Sequence, residues 1–255
     1  MRKIAIANEK GGVGKTVTVI NLAAALVREG STVLVVDMDP QANATKGLGV
    51  DPEQQQVNVY RLIKGDDGVS THEAIVGTAW KGLDLIASHV DLAGAEVELV
   101  DVEGREDRLK QALAPVEGGY DFVLLDTPPS LSLLTVNVFA YADEVLVPCQ
   151  THPYAFEALD ELFDTVEAVR EAINPDIRIS GILPTFFDAR TRVSPRILEK
   201  LRNDERYRPL VFDTVIRVNT TIADSAEAGR PVVFYRGSSY GATDYKSLAK
   251  ELLER

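Results

Sequence analysis

Short apolar runs recur along the chain at residues 4–7, 33–36, 83–86, 122–125, 145–147 and 179–183, and only Asp84 and Ser180 interrupt them with a polar side chain. Such runs read as strands covered on both faces, because a strand with one wet face alternates apolar and polar positions. Between them lie stretches with helical spacing. Residues 17–28 form one, and residues 156–173 another, in which Phe156, Leu159, Phe163, Val166 and Val169 share a face. Residues 241–254 form a third, and Asn174-Pro175 closes the second. Strands alternating with helices predict an α/β fold: a doubly wound, mainly parallel sheet flanked by helices. Residues 47–71 are polar, with Gln54-Gln55-Gln56 and Gly65-Asp66-Asp67-Gly68, and read as helix plus loop. No linker or repeat interrupts the alternation, so the expectation is one domain over residues 1–255.

Composition narrows the class. Hydrophobic residues at 45% and charged residues at 26% exclude a disordered chain. No stretch approaches 18 consecutive apolar residues and no signal-peptide core is present, which predicts a cytoplasmic protein with no membrane partner. The lone cysteine, Cys149, excludes an internal disulfide and a self-contained thiolate cluster. His72, His89 and His152 lack metal-ligand spacing, and Trp80 reads as a packing residue.

Charge is uneven. The formal total is −12, yet residues 1–177 carry 13 basic and 29 acidic side chains whereas residues 178–255 carry 14 and 10. Arg190, Arg192, Arg196, Lys200, Arg202, Arg206 and Arg208 crowd into 19 positions. Such a cluster attracts phosphates even on an acidic protein, because fields decay over about 10 Å at 0.1 M salt.

The chemistry is carried by three motifs. Directly after the first apolar run, residues 10–16 read Lys-Gly-Gly-Val-Gly-Lys-Thr and lead into a helix. Glycines there let backbone N–H groups of Gly11, Gly12, Val13 and Gly14 face phosphates, and the helix N-terminus adds partial positive charge. Lys15 reaches the β- and γ-phosphates and Thr16 ligates Mg²⁺ in such a loop. The ordinary pattern would have glycine where Glu9 stands, and an additional lysine, Lys10, follows it. The second run ends in Val-Val-Asp-Met-Asp-Pro-Gln at 35–41, placing Asp37 and Asp39 where open α/β sheets bind ligands. The run at 122–125 ends in Asp126, the form of a magnesium-holding aspartate. Together they point to hydrolysis of a nucleoside triphosphate.

With Lys10 in that place, the chain resembles the deviant phosphate-loop family that includes ParA, MinD and the nitrogenase iron protein. The likeness is closest to ParA (Soj-like) partitioning ATPases, and it extends to Gln41-Ala42-Asn43-Ala44-Thr45, Asp188-Ala189-Arg190-Thr191 and the ending at residues 245–251. The resemblance implies a cytoplasmic, nucleoid-associated ATPase using ATP and Mg²⁺. Its nucleotide site would comprise Lys10, Gly11, Gly12, Val13, Gly14, Lys15, Thr16, Val17, Asp126 and Asn219, with Thr16 and Asp126 on the metal. Lys10 would cross to the nucleotide of the other subunit, Lys15 would hold phosphates, Asp39 would activate water, and Asp37 would play a supporting or magnesium-linked part. Asn219 lies where ParA proteins contact adenine. The implied partners are a second subunit joined through ATP, duplex DNA bound without sequence preference, and a ParB-type protein that stimulates hydrolysis.

On this reading Arg190, Arg192, Arg196, Lys200 and Arg202 are the DNA-contact candidates. Two positions depart from the family: Val17 replaces a common threonine, and Arg217-Val218 replaces a Pro-Arg pair. The chain starts at its first strand, so no N-terminal helix-turn-helix domain is expected. A MinD-like membrane ATPase would need a basic, strongly apolar terminal helix. Here Asp244, Glu251 and Glu254 interrupt that helix, which reads as docked. A relative that positions some cargo other than DNA shares every motif, and a nitrogenase-like reductase is excluded by the cysteine count.

Overall fold

The computed structural model describes residues 1–255. Seven strands form one sheet: β1 (Arg2–Ile6), β2 (Val33–Asp37), β3 (Ile75–Gly77), β4 (Leu83–Ile86), β5 (Phe122–Asp126), β6 (Glu144–Gln150) and β7 (Arg178–Thr185). Their spatial order is β3-β4-β2-β5-β1-β6-β7. All neighbours run parallel except β3, which lies antiparallel to β4 at one edge.

Every apolar run predicted a strand, and period-two alternation explains how each strand serves two cores. In β1, Ile4 and Ile6 face the layer containing the helices Lys15–Arg28 and Tyr240–Glu254, while Ala5 faces the opposite layer. That second layer includes the helices Leu133–Tyr141 and Ala155–Ala172. Helices on both faces explain why the central strands read as continuous apolar runs. The segment read as helix plus loop contains a 3₁₀ turn at Pro52–Gln54 and the helix Val59–Lys64, capped by Asn58. Trp80 stacks on Phe234 with ring centroids 5.4 Å apart, which fits the packing role.

β3 escaped the sequence reading. Three residues of an edge strand that are only partly covered give no continuous apolar run. The neighbouring order β2-β5-β1 has the larger consequence. It brings the loops after three strands side by side at the carboxyl edge, and the parallel register sets Asp37 of β2 beside Asp126 of β5.

Candidate nucleotide site

The loop after β1 is built before any ligand arrives. Asn8 donates from Nδ2 to the Pro148 carbonyl (2.8 Å) and accepts the Lys10 N–H on Oδ1 (2.9 Å), fixing the turn's entry. Thr185 at the end of β7 donates to the Val13 carbonyl (2.9 Å) and ties its far side. Gly12 (φ 74°) and Gly14 (φ 94°) occupy the left-handed region, where a side chain would be strained. Gly14 is the N-cap of the Lys15–Arg28 helix, and no side chain caps that terminus. Its first N–H groups therefore remain for an anion.

Lys15 is buried, with Nζ donating to the carbonyls of Asn8 (3.0 Å) and Lys10 (3.3 Å). Burial lowers its pKa, and the charges of Asp126 and Asp39 oppose that shift. Lys10 is partly exposed, its Nζ 5.9 Å from the centroid of the Tyr154 ring.

The three aspartates differ. Asp37 is fully buried and structural in its contacts, its Oδ2 accepting the Thr45 N–H (2.8 Å) and hydroxyl (2.7 Å) and its Oδ1 accepting the Asp39 N–H (3.2 Å). Burial pushes its pKa up to about 6 despite those donors. These bonds hold the helix Asn43–Gly47 against the sheet.

Asp126 is fully buried, and neither carboxylate oxygen has a hydrogen bond of ordinary geometry. Burial first, then the charge of Asp37, raise its pKa well above the ordinary range, while nearby Thr16 and Lys15 favour the charged form. A buried carboxylate without partners is costly unless a cation or donor arrives. With a threonine hydroxyl beside it, this hard oxygen set fits a Mg²⁺ ion that keeps most of its waters. Asp39 is also buried and lies in the turn following Asp37.

Beside the helix N-terminus lies a cavity of about 340 Å³ lined by Gly14, Val17, Phe186, Val218 and Asn219, among others. Its lining is mainly apolar, as a flat heterocyclic base requires. Asn219 caps the helix Thr220–Glu227 by accepting the Thr221 N–H on Oδ1 (2.9 Å), so its amide NH₂ is the group left for a ligand. Phe186, at φ 51°, is a left-handed non-glycine residue at the cavity wall.

Gly11–Val17, Asp39, Asp126 and Asn219 thus come from the three adjoining loops and the cavity wall, whereas the basic cluster lies elsewhere. Arg192 N-caps the helix Val193–Asn203, and Arg196 and Lys200 follow at four-residue spacing on one exposed face. Arg196 and Lys200 border an open depression of about 620 Å³, whose lining also includes Glu199 and Asp204. Two sequence candidates are partly committed: Arg190 pairs with Asp188 (2.9 Å), and Arg202 donates to the Asp213 carbonyl (2.9 Å). Arg217 forms an ion pair with buried Asp244 and lies over the Tyr240 ring at the cavity wall, its side chain still partly exposed.

Sequence reasoning missed Asn8 and Phe186. Asn8 abuts the glycine loop and was signalled by position, whereas Phe186 depends on long-range packing.

Comparison with known proteins agrees with this geometry. The AAA domain family matches residues 1–179. The sporulation initiation inhibitor protein Soj of Bacillus subtilis is 43% identical over 249 residues, covering 98% of this chain and 97% of its own length. The chromosome partitioning protein ParA of Myxococcus xanthus is 40% identical, covering 100% of this chain and 88% of its own length. The chain belongs to the ParA/Soj family of partitioning ATPases.

As a member of the ParA/Soj family the chain is an ATP hydrolase that works with Mg²⁺. Among solved structures, cobyrinic acid a,c-diamide synthase from Mycobacterium smegmatis with bound ADP and magnesium superposes with a TM-score of 0.85 at 37% identity. That match covers 100% of this chain and 94% of the other. No helix of this ParA/Soj-family chain is long and apolar enough to cross a membrane.

Proposed function

We propose that residues 1–255 act as a single ATPase unit that dimerises around ATP, binds duplex DNA without sequence preference in that state, and partitions a chromosome or plasmid. A ParB-type protein would stimulate hydrolysis and release it from the nucleoid. The observation that carries the nucleotide part is the unpartnered, fully buried Asp126 carboxylate beside an uncapped helix and a buried lysine. When bound, Mg²⁺ supplies charge neutralisation at the phosphates, with Thr16 and Asp126 as its protein ligands.

In this reading the backbone N–H groups of Gly11, Gly12, Val13 and Gly14 cradle the phosphates and Lys15 adds a cation, while Val17 and Asn219 line the base site. Asp39 orients the attacking water in line with the γ-phosphate. Lys10, partly exposed and near the Tyr154 ring, serves the nucleotide of the second subunit and stabilises charge developing there.

Support for DNA over lipid comes from the terminal helix. Tyr245, Leu248 and Leu252 are buried in the core, so its apolar face is already occupied. Amide synthesis, suggested by the name of the 37%-identical structure, has less support. The one thiol, Cys149, is buried and its pKa is pushed up to about 12, which leaves no thiolate to draw ammonia from an amide donor.

Fluorescence anisotropy of a nonspecific duplex, titrated with Asp39→Ala protein in ATP–Mg²⁺ and in ADP, tests the reading. Binding in ATP alone, weakened by salt, is the expected result. A protein that dimerises with ATP yet ignores DNA under both nucleotides would refute the DNA-tethered mechanism and favour the MinD-like or other-cargo alternatives.

A further inference from the structure

Asp39 is tied down at almost every polar atom. Its N–H donates to Asp37 Oδ1 (3.2 Å), and its Oδ1 accepts the Gln41 N–H (3.0 Å). Its carbonyl oxygen accepts two hydrogen bonds, from the Ala42 N–H (2.9 Å) and from Ser88 Oγ (2.7 Å). Oδ2 is the atom left without a tie inside the protein.

Three of those four bonds are local to residues 37–42 and move with the turn itself. The turn also contains Ala42 at φ 53°, a conformation that needs support from its surroundings. The Ser88 bond alone reaches Asp39 from another strand. Ser88 lies just beyond the end of β4 and is fully buried. It is itself fixed, because its N–H donates to Thr45 Oγ1 (3.0 Å), the hydroxyl that donates to Asp37.

We propose that Ser88 is a positioning residue for phosphoryl transfer: its hydroxyl anchors the Asp39 carbonyl to the end of β4 and so sets where Oδ2 meets the attacking water. This rests on the assignment of Asp39 made above. In-line attack tolerates little displacement, since a shift of about 1 Å costs up to about a hundredfold in rate. Loss of the hydroxyl leaves the Asp39 carbonyl with its Ala42 donor, so the buried oxygen stays satisfied and the fold survives.

A double-mutant cycle in single-turnover ATP hydrolysis, with protein in excess, separates this role from simple packing. Ser88→Ala is expected to lower the rate constant about tenfold. It should leave the Kd for a non-hydrolysable ATP analogue within about twofold. In the Asp39→Ala background it should have no further effect, because it acts through that side chain. Ser88→Cys, which keeps a weak donor at the same position, should fall between wild type and Ser88→Ala and covers the case in which alanine disturbs folding. A Ser88→Ala rate within twofold of wild type overturns the proposal, as does the same fold-loss in both backgrounds. Wild-type hydrolysis by Asp39→Ala would instead remove the assignment of Asp39, and the role of Ser88 with it.

Discussion

At the scale of single residues, the site is defined by what its side chains leave undone. Asp37 and Asp126 lie side by side on neighbouring strands, yet one accepts several hydrogen bonds while the other, with Thr16 and Lys15 nearby, accepts none of ordinary geometry. The free protein is destabilised at Asp126, because a buried unpaired carboxylate is among the costliest groups a fold can hold. Asp126→Asn should therefore raise the stability of the nucleotide-free protein by about 1–3 kcal/mol while erasing the stabilisation that ATP–Mg²⁺ gives the wild type. Thermal melts with and without ATP–Mg²⁺ measure both effects, and a variant that melts lower than wild type in both would refute the account. The type and order of these residues were legible in the sequence, because the glycine loop and the aspartates at strand ends are local patterns. Their division of labour was not, since Thr45 must fold back onto Asp37 before one carboxylate is satisfied and the other is not.

At the scale of elements, unbroken apolar runs announced the central strands, while β3 and the helix Leu92–Glu98 are short and partly exposed and carry little pattern. Side-chain ties between elements were equally silent. Arg2 in β1 pairs with Glu144 in β6 (2.7 Å) and also donates to the Leu252 carbonyl of the terminal helix (2.7 Å), so one guanidinium joins three elements. Burial alone would raise the Glu144 pKa, but Arg2 and Arg178 outweigh it and hold the carboxyl below its ordinary value. A depressed pKa contributes stability above the unfolded-state value of about 4.3, and that contribution is lost as pH falls through the folded-state value. Glu144→Gln should cost about 1–3 kcal/mol at neutral pH, and its deficit relative to wild type should shrink below about pH 4. Urea unfolding across that range tests the sign, and a deficit that grows on acidification would contradict it.

For the whole molecule, the net charge of −12 hides a basic face, and the helix Val193–Asn203 presents Arg196 and Lys200 beside an open depression. If these two neutralise DNA phosphates, Arg196→Ala with Lys200→Ala should reduce the slope of log affinity against log salt by about 2 per subunit. ATP turnover without DNA should stay unchanged. Anisotropy over a salt series measures the slope, and an unaltered slope would move the DNA face away from this helix. Charge bias along the chain signalled this face. Only the packed structure shows that Arg217, equally basic in sequence, is spent on Asp244.

The two margins of the sheet bear on how copies of the molecule can associate. On one side β3 is three residues long and reversed in direction, and on the other Val211 bridges to Ile182 of β7 while the Phe212 ring packs where a Gly181 side chain would stand. Short, reversed or covered margins give an incoming strand little backbone to pair with. Joining two sheets into one continuous ribbon is therefore disfavoured. In the dimer proposed above, ordered association falls instead to the loops at the carboxyl edge and to helix faces, and on that proposal a higher-order array would follow the nucleotide rather than be locked by backbone pairing.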